Sequence, residues 1–108
     1  MSKLETENEL RTLAYEYALA VDNCDADALI KLFTSDGFVR GLDDSVPYFG
    51  GHDDLRLMVG QVDHFFVKTM HNVYNQTFDL GGDQGTATGE TYCLANHIIE
   101  QETGEWLI

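Results

Sequence analysis

Three side chains of this sequence have the chemistry to act together on a proton: the histidines His71 and His97 and the carboxylate of Asp22. His71 lies in the segment TMHNVYN, residues 69–75, whose branched and aromatic residues are typical of a β-strand. A carboxylate bonded to one imidazole nitrogen fixes the ring tautomer and makes the other nitrogen a better base. These residue types make Asp22 and His71 a candidate dyad, in which Asp22 would orient His71 as a general base. A histidine bonded to a backbone carbonyl or to water is the structural alternative for His71.

Strand alternation decides which residues share a face with the two histidines. One predicted face carries His71, Val73, Asn75 and Thr77, and one face of the next strand carries Cys93, Ala95, His97 and Ile99. If the strands pair across a turn at 81–85, His71 and His97 line the same cavity, although the sequence leaves the register open. His97 is equally consistent with core packing, and Asp22 with helping Asp25 to cap the next helix.

Metal and disulfide chemistry are less favoured than the dyad. Two histidines and one aspartate are a donor set for non-haem iron, but the spacing has no local HxD or HExxH signature, so we predict no metal. Cys24 and Cys93 are far apart in sequence and predict two free thiols, with Cys93 as a small buried side chain or a pocket residue.

The predicted helices position Asp22 and supply an apolar lining. A capping box of Thr6 and Glu9 begins a helix over about 6–22, with Leu10, Leu13, Ala14, Tyr17, Ala18 and Val21 on one face. Asp25 caps a short second helix, and a third runs from His52 to Phe66. Four side chains of these helices are core by default and become substrate contacts where a pocket exists: Tyr17, Phe33, Met58 and Phe66. His52 and His64 are predicted to lie at the surface.

The strands follow the helices along most of the chain. FVRGL after the turn at 34–37 predicts a short strand, residues 43–47 a loop, and two longer strands run over about 67–80 and 86–101. Trp106 begins a further strand. This segregation predicts an α+β fold with helices packed on one face of an antiparallel sheet.

Composition limits the partners. The chain has 108 residues, enough for one domain, with 19 acidic against 6 basic residues and a formal charge of −13. This charge argues against nucleic acid and against an anionic membrane surface as partners. No apolar run is long enough to span a bilayer and the N-terminus is polar, so we predict a cytoplasmic protein. The expected partner is a small, neutral, largely apolar molecule.

Three segments together resemble a known superfamily: YALAVDNCDADALIKLFTSDGF, TMHNVYN and GETYCLANHIIE. Over about residues 7–108 the chain resembles the SnoaL-like branch of the nuclear transport factor 2-like superfamily, and within it the scytalone dehydratases and hexachlorocyclohexane dehydrochlorinases. The resemblance implies a cone-shaped curved sheet around an apolar pocket and elimination or isomerisation without a cofactor. It also implies that Asp22 is the carboxylate that pairs with a catalytic His71, and that His97 is a second pocket histidine.

The sequence departs from this family at three places. Val21 stands where scytalone dehydratases have a tyrosine beside the aspartate, and VRGL stands where they have a second tyrosine, so that Tyr17 or Tyr48 would have to substitute. The family continues for two further strands beyond residue 108, so we expect a C-terminally truncated domain. An incomplete sheet leaves an unpaired edge, which predicts a homodimer or a higher homo-oligomer.

Two functions fit these residues. The first is a lyase or isomerase, dehydratase-like, in which His71 abstracts a proton from carbon, Asp22 orients it, and His97 or a tyrosine assists the leaving group or polarises a carbonyl. The alternative is a binding or assembly module that holds a small ligand in the same pocket without chemistry.

Overall fold

The computed structural model describes residues 2–41, 48–81 and 85–107 of the chain. Over these residues the elements in chain order are α1 (Lys3–Asp22), α2 (Ala26–Ile30), β1 (Phe38–Arg40), β2 (Tyr48–Gly50), α3 (Gly51–Phe65), β3 (Lys68–Asp79), β4 (Thr88–Glu100) and β5 (Trp106–Leu107). Helix α1 packs against both β3 and α2, and α2 packs against α3. The predicted α+β class, with N-terminal helices packed against antiparallel strands, is confirmed.

Helix α1 begins earlier than the sequence pattern predicts. Ser2, not Thr6, is the N-cap: its hydroxyl oxygen accepts from the backbone N–H of Glu5 at 3.1 Å. Ser2 and Glu5 repeat the Ser-x-x-Glu spacing four residues upstream, and Thr6 instead donates its hydroxyl to the Ser2 carbonyl. Although α1 has 20 residues, no helix in the described part of the chain is long and apolar enough to cross a membrane.

The buried core lies where the three helices meet. Its members come from the end of α1, from α2 and from α3: Ala20, Val21, Leu29, Leu55 and Val59. Ala20 falls outside the predicted apolar stripe, and it is buried because the last turns of α1 contact α2 as well as β3. Leu13 was predicted to be buried and is 44% exposed, beside a groove between α1 and the far ends of β3 and β4.

Two antiparallel sheets are formed by the described strands. Strands β1 and β2 pair with Val39 opposite Phe49, and β3, β4 and β5 form a second sheet in that order. Strand β2 was not predicted, because three residues are too few to show a period of two. Residues 42–47 and 82–84, which hold the predicted loop and most of the predicted hairpin turn, lie outside the described residues. The antiparallel pairing of β3 with β4 confirms the hairpin itself.

A β-bulge divides β3 into two parts. The register pairs His71 with Ala95 and Val73 with Cys93, then shifts between Val73 and Gln76. A bulge adds a residue on one strand and so exchanges its inward and outward positions. Gln76 and Phe78 are therefore half-buried and Thr77 is exposed, which contradicts the predicted common face of Asn75 and Thr77 with His71.

Candidate active site

The predicted contact between Asp22 and His71 is confirmed by the structure. Asp22 is the last residue of α1, and the packing of α1 on β3 brings its carboxylate to the strand. Asp22 Oδ1 lies 2.7 Å from His71 Nδ1, and Asp22 Oδ2 accepts the backbone N–H of His71 at 2.9 Å. The two side chains are 18% and 15% exposed, so this pair is largely shielded from water.

The hydrogen bonds decide the charge state of the Asp22 carboxylate. Burial alone raises the pKa of Asp22, but the bonds from the backbone and ring of His71 and from Thr69 outweigh it, and the net pKa is lowered. An ionised carboxylate has no proton to donate, so the contact requires a proton on His71 Nδ1. In the neutral ring the lone pair then lies on Nε2, which is the nitrogen that can act as a base.

Thr69 completes the set of donors and was not singled out from the sequence. Its hydroxyl donates to Asp22 Oδ1 at 2.8 Å, and the residue is 4% exposed. Thr69 precedes His71 by two residues and therefore projects from the same face of β3. A hydroxyl residue at this spacing from the candidate base was the available signal, and it identifies a further donor to the same carboxylate.

His97 and Phe66 lie beside the Asp22–His71 pair. The rings of His71 and His97 are 6.1 Å apart between centroids and nearly perpendicular, at 79°. The Phe66 ring is 4.5 Å from the His97 ring. His97 pairs with Thr69 in the register, so the predicted common face of His71 and His97 is confirmed. The His71 ring therefore lies near a second imidazole, that of His97, and the apolar ring of Phe66 packs beside His97.

The other predicted substrate contacts pack against the core. Tyr17 and Phe33 meet edge to face with ring centroids 6.5 Å apart, and both pack against the buried cluster together with Met58. Burial raises the pKa of Tyr17, and electrostatic repulsion from Cys93 adds to the rise. Cys93 lies opposite Val73 and is exposed rather than buried. Tyr17 therefore packs with the core, and its phenol stays protonated at neutral pH.

A groove of about 250 Å³ reaches the Asp22 carboxylate from the end of α1. Its lining residues are Asp22, Asn23, Cys24, Val62, Asp63, Phe66, Val67, Lys68 and Thr69. Burial, followed by the neighbouring Asp63 carboxylate, raises the pKa of the Cys24 thiol. Cys24 also has a φ of 52°, in the left-handed region that favours glycine, where the chain turns from α1 into α2. The groove is smaller than a typical ligand pocket, and its charged lining residues are Asp22, Asp63 and Lys68.

The remaining histidines differ from each other. His52 was predicted at the surface, but it is half-buried, with Nε2 3.0 Å from the Phe33 carbonyl oxygen. The prediction was wrong because the chain before α3 folds back onto the loop after α2. His64 is exposed on α3, as predicted. Within residues 2–41, 48–81 and 85–107, no three His, Cys, Asp or Glu side chains are grouped closely enough to hold a metal ion.

The comparisons with known proteins agree on the fold. The model of a family described as a SnoaL-like domain matches residues 2–108. A solved structure of a candidate aromatic ring hydroxylase from Novosphingobium aromaticivorans is 21% identical with a TM-score of 0.78, covering 98% of this chain and 85% of that one. A candidate scytalone dehydratase from the same organism is 18% identical with a TM-score of 0.75, covering 95% and 78%.

A third similar solved structure is described as having a cystatin-like fold. A protein of unknown function with a cystatin-like fold from Nostoc punctiforme is 20% identical with a TM-score of 0.73, covering 98% of this chain and 86% of that one. At these identities the likeness extends to the fold alone. No curated protein matches the chain.

Proposed function

Because the chain belongs to the family of SnoaL-like domains, we propose that it is a cofactor-independent lyase or isomerase, with His71 as the general base. The observation that carries this proposal is the 2.7 Å contact between Asp22 Oδ1 and His71 Nδ1. It fixes which ring nitrogen holds the proton and leaves Nε2 to accept one from a substrate carbon. Asp22 stays ionised throughout and stabilises the imidazolium that forms.

The proposed step moves one proton and one electron pair. His71 Nε2 takes the proton of a C–H bond beside a carbonyl, and the electron pair of that bond moves towards the carbonyl. In an elimination the pair then forms a C=C bond as a hydroxyl leaves the next carbon, and the hydroxyl takes the proton of the His71 imidazolium to leave as water; in an isomerisation the imidazolium returns its proton to another carbon. His97, whose ring is 6.1 Å from the His71 ring, is the proposed donor to the departing or carbonyl oxygen.

The proposed substrate is small, neutral and largely apolar. The Phe66 ring, 4.5 Å from His97, offers a flat apolar surface beside the two histidines, which favours a cyclic or aromatic compound. A formal charge of −13 repels anions and so disfavours a charged acid as the substrate. Tyr17, Phe33 and Met58 are the proposed wall towards the core.

The test is a search for proton abstraction in heavy water. The folded protein is incubated in D2O with neutral cyclic ketones and β-hydroxy ketones, including scytalone because of the named structural neighbour. We expect NMR to show deuterium entering the carbon beside the carbonyl, or water being lost, for at least one compound. A compound that binds beside Phe66 and His97 without exchange or consumption would favour the ligand-binding module instead.

We also propose that the protein forms a homodimer or a higher homo-oligomer through the outer face of its larger sheet. Four apolar side chains on that face are more than half exposed: Met70 at 56%, Tyr74 at 55%, Tyr92 at 65% and Leu94 at 53%. We expect light scattering to give at least twice the mass of 12.1 kDa at micromolar concentration. The double variant Tyr92→Glu/Leu94→Glu should be a monomer, and a monomeric wild type would contradict the proposal.

A further inference from the structure

We propose that Thr69 is a positioning residue whose hydroxyl fixes the Asp22 carboxylate so that His71 keeps its proton on Nδ1, a role that rests on the proposed function of His71 as a base. Thr69 does not touch the His71 ring through any described bond; it acts through Asp22. Through this bond a second residue of β3, besides His71, holds the Asp22 carboxylate.

The first step of the argument is the burial of Thr69. Its hydroxyl lies in a residue that is only 4% exposed, where a polar group needs a partner. The partner is Asp22 Oδ1 at 2.8 Å. A threonine hydroxyl can rotate to donate or accept, but an ionised carboxylate can only accept. The hydroxyl proton is therefore directed at Asp22.

The second step is the arrangement of donors around the carboxylate. Asp22 Oδ1 accepts from both the Thr69 hydroxyl and the His71 ring, while Oδ2 accepts the His71 backbone N–H. Both oxygens are thus held by β3, at positions two residues apart on one face of the strand. Of the three donors, only the Thr69 hydroxyl does not belong to His71, so it holds Oδ1 in place independently of the His71 ring.

The third step is what the carboxylate could do without Thr69. Asp22 and Thr69 both line the groove of about 250 Å³ that also contains Lys68. Removing the hydroxyl leaves Oδ1 with one described donor, which is the His71 ring itself. A carboxylate that turns towards the groove releases His71 Nδ1, and the neutral ring can then place its proton on either nitrogen.

The competing explanation is that Thr69 only fills space in the packed region between α1 and β3. The two roles separate in matched variants. Thr69→Val keeps the shape and removes the hydroxyl, whereas Thr69→Ser keeps the hydroxyl and removes the methyl group. If Thr69 only fills space, the serine variant should be affected more than the valine variant. If its hydroxyl positions Asp22, only the valine variant should be affected.

The test is NMR of the His71 ring and the Asp22 carboxyl in the full chain, without substrate. In the wild type we expect the neutral His71 ring to give nitrogen shifts of a protonated Nδ1 and an unprotonated Nε2. Thr69→Val should give averaged shifts of the two tautomers and a higher pKa of Asp22, and Thr69→Ser should match the wild type. Thr77→Val, at an exposed threonine of the same strand, is the control and should change neither signal. A Thr69→Val protein with wild-type signals in both measurements would overturn the proposal.

A second measurement needs no variant and decides the matter if Thr69→Val does not fold. The Thr69 hydroxyl proton of the wild type should exchange slowly with water, give an NOE to the proton on His71 Nδ1, and shift as Asp22 titrates. A hydroxyl proton in fast exchange that is insensitive to the Asp22 titration would refute the positioning role. Since neither measurement uses turnover, a protein that shows these signals but abstracts no proton refutes the proposed function and leaves the role of Thr69 standing.

Discussion

Replacing His71 with alanine is expected to lower turnover by about 100- to 10,000-fold, which is the usual contribution of a general base. The substrate is the ketone that exchanges deuterium or loses water in the wild-type protein. The variant removes the Nε2 atom that accepts the proton. It keeps the backbone N–H of residue 71, which holds Asp22 Oδ2 at 2.9 Å, and the Thr69 hydroxyl on Oδ1. The carboxylate therefore retains partners and the fold should survive. The measurement is the rate of deuterium incorporation or of water loss at saturating substrate.

The matched control is His64→Ala, which removes the same side chain from an exposed position on α3. That variant should keep wild-type turnover, and both proteins should keep the wild-type circular dichroism, although the thermal midpoint of His71→Ala falls because the bond from its ring to Asp22 is lost. A folded His71→Ala protein with normal turnover would end the proposal of an Asp22–His71 base. A loss of turnover in both variants would point to a general effect of losing a histidine and not to the dyad.

The meeting of Asp22 and His71 was predicted from the family resemblance, and two local features of the sequence agree with it. An apolar stripe ends at Asp22, and a period of two begins near Val67, so a helix end and a strand must both border the core. The sequence alone predicted that Asp25 caps α2, and its side chain accepts from the Ala28 N–H at 3.1 Å. These features are local, and the packing of α1 on β3 brings them together.

The missed features depend on contacts between distant segments or on breaks in periodicity. The bulge between Val73 and Gln76 exchanges the faces of β3, and the sequence there has no glycine or proline to indicate it. His52 bonds the Phe33 carbonyl 19 positions away, which no local pattern predicts. Thr69 was missed for a different reason. Its spacing from His71 is visible in the sequence, but only the structure shows that the residue is buried and so needs a hydrogen-bond partner.

An Asp22→Asn variant is expected to be less stable than the wild type by about 2–3 kcal/mol near neutral pH, since hydrogen bonds to a charged group contribute on this scale. Asparagine has the same shape but offers one acceptor oxygen and an NH2 group, which faces donors from His71 or Thr69. The side chain of Asp22 is 18% exposed, so water replaces these bonds only in part. The measurement is the free energy of unfolding in urea across a range of pH.

The difference between the two proteins should depend on pH in one direction. The pKa of Asp22 is lowered in the folded state from its ordinary value of 3.8, so the unfolded chain takes up the proton first and protons favour unfolding. The stabilisation by the charged carboxylate is complete above about pH 5 and is lost as the pH falls through the lowered pKa. The unfolding free energies of wild type and Asp22→Asn should therefore converge in acid.

The control variant Asp53→Asn also removes one negative charge from this acidic chain. It therefore separates the loss of the Asp22 hydrogen bonds from the general effect of reducing the charge. Asp53 is exposed in the first turn of α3, so its variant tests charge reduction without the Asp22 contacts. It should be within about 0.5 kcal/mol of the wild type, as is usual for surface positions. If Asp22→Asn behaves like Asp53→Asn at every pH, the carboxylate is not held by His71 and Thr69. The tautomer of His71 would then be unconstrained, and the base in the proposed reaction would have to be sought elsewhere.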